Sequence, residues 1–149
     1  MPGGLFFQMK IEVRYYSKGG NTSKLAQAVG EAVGTVAKTT ADDLTEKCDL
    51  LLLGASVYAG RADKEVLDFI RRNAREIGAI AVFGSSASGR STFSSVQAVA
   101  EDAGVKVLLS DFSCYGKFMF LHKNHPDEKD LSRAAAFAKA RVEELEANT

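Results

Sequence analysis

Several functions are excluded by what this 149-residue chain lacks. Its two cysteines, Cys48 and Cys114, are far apart and form no C-x-x-C pair, so no dithiol motif is available. They read as buried free thiols of a reducing cytoplasm. The formal net charge is zero, so nothing points to nucleic acid or to a membrane surface. No apolar run approaches transmembrane length. Residues 1–8 lack a basic stretch ahead of an apolar one and make no signal peptide. They read as an N-terminal extension or expression remnant before Met9. Internal repeats, linkers and low-complexity tracts are missing too, which leaves a single domain over residues 9–149.

Motifs are missing as well. There is no G-x-x-x-x-G-K-[ST] nucleotide loop: Lys18 precedes Gly19 and Gly20, and no such lysine follows them. A G-x-G-x-x-G dinucleotide fingerprint is absent. Residues 17–23 hold no cysteine nucleophile of the phosphatase type, and no Ser-His-Asp order with a nucleophile elbow occurs.

What is present is a soluble globular mix, 46% hydrophobic and 26% charged, long enough to bury a core without disulfides. Strand and helix patterns alternate along it. Lys10–Tyr16 reads as a strand and Ser23–Val33 as an amphipathic helix, with Gly34 at its stop. Thr35–Thr39 is a short β-branched stretch. Asp49–Gly54, with four consecutive leucines, is a fully buried strand. Lys64–Arg75 is a helix, Ala79–Phe83 a strand, Thr92–Ala103 a helix and Val105–Leu109 a fifth strand. Pro126-Asp127-Glu128 signals a last helix over Asp130–Glu146. The pattern predicts an α/β three-layer sandwich: a five-stranded parallel sheet of order 2-1-3-4-5, with helices on both faces. In such a sheet a ligand lies at the carboxyl ends of the strands, so the loops after strands one, three and four should converge. A receiver domain shares this topology but needs carboxylates where this chain has Ser17-Lys18 and Gly54-Ala55.

The first of those loops is the most informative stretch. Val13, Tyr15 and Tyr16 favour a strand, residues 17–22 are glycine- and hydroxyl-rich, and Leu25, Ala26 and Val29 recur at helical spacing. Such a loop is an anion site, because free N–H groups and the helix dipole face the ligand. Gly19 and Gly20 let the backbone close on a phosphate, and Ser17, Asn21, Thr22 and Ser23 add donors. The same residue types also cap helices with no ligand present.

This run resembles the phosphate-binding loop of the flavodoxin family, in which a strand with an aromatic end leads into a Ser/Thr-x-x-Gly-x-Thr turn. Ser17, Gly20 and Thr22 fit that pattern, with Ala26 and Val29 downstream, whereas Arg14 departs from it. The resemblance covers residues 9–146. It implies that Ser17, Lys18, Gly19, Gly20, Asn21 and Thr22 hold the phosphate of flavin mononucleotide (FMN), mainly through neutral donors. It also implies that the loop after the third strand, with Ser56, Val57, Tyr58, Ala59 and Gly60, packs Tyr58 on the flavin ring. That loop would offer a backbone carbonyl to flavin N5. The Ala59–Gly60 peptide can turn its carbonyl outward as in a type II turn. A bond made in one redox state only shifts the potential of that state. Ser85, Ser86, Ala87 and Gly89, after the fourth strand, would offer N–H groups to flavin O2 and the pyrimidine edge. No aromatic lid stands there, since Phe93 reads as core, and one ring face is open. Arg61 and Arg90 flank the site where the family usually places acids. They are either solvated surface arginines or cations that favour the anionic reduced flavin.

The segments Cys114–Phe118 and His122–Pro126 resemble the stretch before the last helix of short flavodoxin-like proteins, and no role is carried onto them. His122 and His125 have metal-like spacing, but a capped helix start explains them better, and Asp42-Asp43 read as loop. The expected function is a cytoplasmic FMN-binding carrier, with no catalytic side chain and no metal. It would move electrons between redox partner proteins such as a reductase and an acceptor enzyme. Two alternatives stand beside it: an FMN-dependent NAD(P)H or quinone reductase, and a flavin-free interaction domain on the same scaffold.

Overall fold

The structure, a computed structural model, describes residues 9–58, 61–86, 91–116 and 124–148. In chain order its elements are β1 (Ile11–Tyr15), α1 (Asn21–Val33), β2 (Lys38–Thr39), β3 (Leu50–Tyr58), β4 (Arg61–Ala62), α2 (Lys64–Asn73), β5 (Ala79–Ser86), α3 (Phe93–Asp102), β6 (Lys106–Val107), β7 (Phe112–Tyr115) and α4 (Glu128–Ala147). A single 3-10 turn, Ala74–Glu76, extends α2. The parallel order is β2-β1-β3-β5, with β6 and β7 both paired to the outer side of β5. This is the predicted 2-1-3-4-5 arrangement, with the fifth position filled by two short strands.

Three differences from the expected elements matter for the site. The third strand does not end at Gly54 but runs on to Tyr58, and Val57 and Tyr58 pair antiparallel with Ala62 and Arg61. The fourth strand continues to Ser86, because β7 lies along its carboxyl half and supplies a second partner. The fifth strand is interrupted over residues 108–111. There Leu108 still donates to the Ile80 carbonyl while Leu109 faces solvent.

Two apolar layers sandwich the sheet. Leu50 and Leu52 face α1 and α4, together with Leu25, Val29, Ala134 and Ala138. Leu51 and Leu53 face α2 and α3, together with Val66, Phe69, Ile70 and Val96. That alternation is why four leucines in a row are all buried: each face of the strand has its own helix layer. On α2 the outward positions carry Lys64, Asp68 and Arg71, joined by surface ion pairs at 2.6 and 3.0 Å. The last helix starts two residues earlier than expected. Asp127 and Asp130 make a reciprocal capping box there, which satisfies two backbone donors at the helix start.

Arg14, the residue that departs from the phosphate-loop pattern, is buried in β1 and has a structural use. Its guanidinium donates to Glu12 at 2.8 Å and to the Asp42 carbonyl at 2.8 Å. Buried charge persists only with such partners. The neighbouring Asp43 carboxylate accepts from Arg72 and Asn73 and ties this loop to α2. No helix among the described residues is long and apolar enough to cross a membrane.

Candidate functional site

The site is built where β1, β3 and β5 end. Gly20 is the N-cap of α1, with φ 84°, a left-handed conformation that favours glycine. Its amide is held by Ser17 Oγ at 3.0 Å, so Ser17 shapes the turn from within. Gly20, as the N-cap of α1, makes no side-chain cap bond. Nothing stands within 4 Å of the place a Cβ would occupy on Gly20, and near Gly19 only Asn21 Nδ2 does, at 3.9 Å. There is thus room around the two glycines among the described residues. Ser23 donates to the Tyr15 hydroxyl at 3.4 Å and braces the loop against β1.

Thr22 joins the three strand ends. It is fully buried, and its hydroxyl lies 2.8 Å from Ser56 Oγ at the end of β3 and 3.1 Å from Ser85 Oγ at the end of β5. The predicted convergence of three separate segments is therefore present as a connected set of hydroxyls. Ser85 and Ser86 are 2% and 6% exposed and sit in the sheet, so the hydroxyl of Ser85 is engaged inside the protein. Val57 and Tyr58 lie at the end of β3, in the short antiparallel pairing with β4. Lys18 is exposed and lines two clefts, one on either side of the loop. The first, of about 620 Å³, is bounded by Tyr15, Tyr16, Ser17, Gly20, Ser23 and Arg72. The second, of about 520 Å³, is bounded by Arg61, Asp63, Lys64 and Glu65. Of the expected site residues, Ala59, Gly60, Ala87 and Gly89 lie outside the described residues, as does the flanking Arg90.

Sequence reasoning missed two participants. Asp63 follows β4 and is 5% exposed, and its carboxylate accepts the Ser56 amide at 3.2 Å. Burial raises its pKa above the usual carboxylate value. Gly116, one residue past β7, packs so closely that a Cβ there would stand 2.8 Å from Asn21 Nδ2 and 3.1 Å from Ser85 Oγ. No local signal marks either residue; both are defined by what lies across the fold. At the rim, His125 Nδ1 is 2.7 Å from Asp130 and its ring meets Tyr115 edge-on, with centroids 6.2 Å apart. His125, Asp127 and Asp130 lie close enough to suggest a metal. The capping box already uses both carboxylates, in line with the capped helix start expected from the sequence; His122 lies outside the described residues.

With this geometry in view, comparison with known proteins is direct. The family model for the flavodoxin domain matches residues 13–111. An uncharacterised protein of Methanocaldococcus jannaschii is 26% identical over 135 residues, spanning 80% of this chain and 89% of that protein. A solved flavodoxin from the domain Archaea superposes with a TM-score of 0.74 at 19% identity, over 93% of this chain and 99% of that one. A WrbA-like flavodoxin from Agrobacterium tumefaciens gives 0.73 at 15% identity, over 95% of this chain and all of that one, 100%.

Proposed function

From a chain that belongs to the flavodoxin family, we propose an FMN-binding protein that carries electrons between redox proteins. The observation that supports it most is Thr22. One buried hydroxyl links the glycine-rich loop to the ends of β3 and β5, the three segments a flavin must touch at once. The donor set suits the cofactor. A helix N-terminus whose N-cap is the left-handed Gly20, with room around that glycine, is a place for a phosphate. Ser17, Lys18, Gly19, Gly20, Asn21 and Thr22 would hold that phosphate. Ser56 to Gly60 on one side, and Ser85, Ser86, Ala87 and Gly89 on the other, would orient the ring. FMN, when bound, supplies the one- and two-electron chemistry, while the chain sets affinity, orientation and access. No side chain is assigned a catalytic role, and a redox enzyme such as a reductase or acceptor would be the partner.

A second reading is an FMN-dependent reductase acting directly on NAD(P)H or a quinone. The zero net charge favours it, because a carrier that meets its partners by diffusion gains from a field of one sign. One experiment separates the two. The purified protein is titrated with FMN while flavin fluorescence is followed, then reduced stepwise without oxygen. Saturable quenching followed by two resolved one-electron steps is the carrier's outcome. Saturable quenching with a single two-electron step, and steady NAD(P)H turnover without an added reductase, is the enzyme's. Absence of binding overturns both.

A further inference from the structure

Asp63 occupies the N-cap position of α2, where an aspartate ordinarily accepts a first-turn amide. Its side chain makes no such bond. It turns into the protein instead, is 5% exposed, and accepts the Ser56 amide at 3.2 Å. Among the described residues it forms no ion pair, and Lys18, on the glycine-rich loop, acts on it through space. An aspartate that gives up capping and accepts burial is held there by something other than its own helix. What it holds is short and needs support: β3 and β4 pair over only two residue pairs, Val57 with Ala62 and Tyr58 with Arg61. The far side of this hairpin is fixed by the Ala62 amide on Ser95 Oγ at 2.9 Å. Its near side is Ser56, whose amide bonds Asp63 and whose hydroxyl bonds Thr22.

We propose that Asp63 is a positioning residue which, through Ser56, locks the β3–β4 hairpin to Thr22 at the start of α1, so that the glycine-rich loop and the hairpin are set as one unit. This rests on the FMN reading for its consequence, since the two segments would hold opposite ends of the cofactor. The coupling itself is a property of the protein alone. The Asp63 carboxylate, the Ser56 amide and hydroxyl, and the Thr22 hydroxyl form a partly buried link from α2 to α1, and loss of the Ser56 hydroxyl leaves Thr22 with Ser85 alone.

The test is amide hydrogen exchange, with an FMN titration in parallel, on the wild type and on Asp63→Ala, Asp63→Asn and Ser56→Ala. Asp63→Ala should speed exchange both at residues 56–58 and across the gap at residues 20–24, and weaken FMN binding about tenfold. Asp63→Asn keeps a carbonyl acceptor and should restore both to within about twofold. Ser56→Ala leaves the amide bond to Asp63 and cuts only the hydroxyl link, so exchange should rise at residues 20–24. It decides the matter if Asp63→Ala does not fold. Unchanged exchange at residues 20–24, with FMN affinity kept, overturns the proposal even if the variants melt earlier. A wild type that binds no FMN removes the flavin reading, and the exchange results then still decide the coupling.

Discussion

The two ends of β3 and β5 are chemically opposite, and in β5 they are equally buried. The amino halves, Leu50–Leu53 and Ala79–Phe83, are leucine, alanine, isoleucine, valine and phenylalanine at 0–2% exposure. Their entry is joined by backbone bonds, Cys48 to Glu76 and Gly78 to Cys48, at 2.8 and 2.9 Å. Beyond Gly54 and Gly84 the same strands carry Ser56, Ser85 and Ser86, and Thr22 meets them from α1. Ser85 is as inaccessible as Leu52 to within 2%. Burial therefore does not separate core from site here; the need of the buried atoms for hydrogen-bond partners does. A hydroxyl cluster costs more to keep than leucine would, and its place at the carboxyl ends is where this fold receives ligands.

The comparison breaks most severely at the boundary between the two halves. A Cβ on Gly84 would collide with the Ala55 carbonyl oxygen, which belongs to backbone and cannot rotate away. Gly84→Ala should cost about 3 kcal/mol, read as a lower urea midpoint, and both halves should be lost in one transition. A midpoint equal to wild type would mean that the strands slide apart freely and that the boundary is not fixed. Next come two substitutions with opposed readouts, one on each side. Leu52→Ala empties a site in the all-apolar half and should cost about 2–5 kcal/mol of stability, while the folded variant keeps its FMN affinity within about twofold. Thr22→Val is nearly isosteric and should cost only about 1–3 kcal/mol, but should weaken FMN binding by about tenfold or more. If the two variants changed stability and affinity in the same ratio, the division into core half and ligand half would fail.

The same contrast accounts for what could be read in the sequence. Leucine runs, the glycine-hydroxyl loop and the glycine stop after α1 are local, and they located the sheet order and the segment around Ser17 to Thr22. Strand ends were read short because Gly54 and Gly84 look like breaks in a pattern of apolar residues. In the fold they are continued by partners far away in sequence, β4 for Val57 and Tyr58, and β7 for Phe83 to Ser86. The split of the fifth strand was hidden for the same reason: Leu109 suits a strand, yet stands 78% exposed. Asp63 and Gly116 carry no local signal at all, since their partners lie across the molecule at Ser56, Asn21 and Ser85.

The smallest effect belongs to the rim of the carboxyl end and sharpens the comparison by pH. The Asp130 carboxylate, 2.7 Å from His125 Nδ1, raises the imidazole's pKa above its usual 6.5, chiefly through that hydrogen bond. A raised folded-state pKa means that protonated His125 stabilises the fold. The contribution is whole below 6.5 and is lost as pH rises through the folded value. Asp127 shifts the other way, held down by the Asp130 amide, so its contribution is lost only as pH falls below the usual 3.8. At the opposite end of the sheet the Cys48 thiol is pushed up to about 11 by burial and stays neutral throughout this window. Between about pH 5 and pH 8 the His125–Asp130 pair is therefore the histidine pair that should report among the described residues. His125→Gln should lower Tm at the acid end of that range and make little difference at the alkaline end. An equal loss at both ends would show that the pair works as a neutral hydrogen bond, and that the rim, like the leucine half, is indifferent to pH.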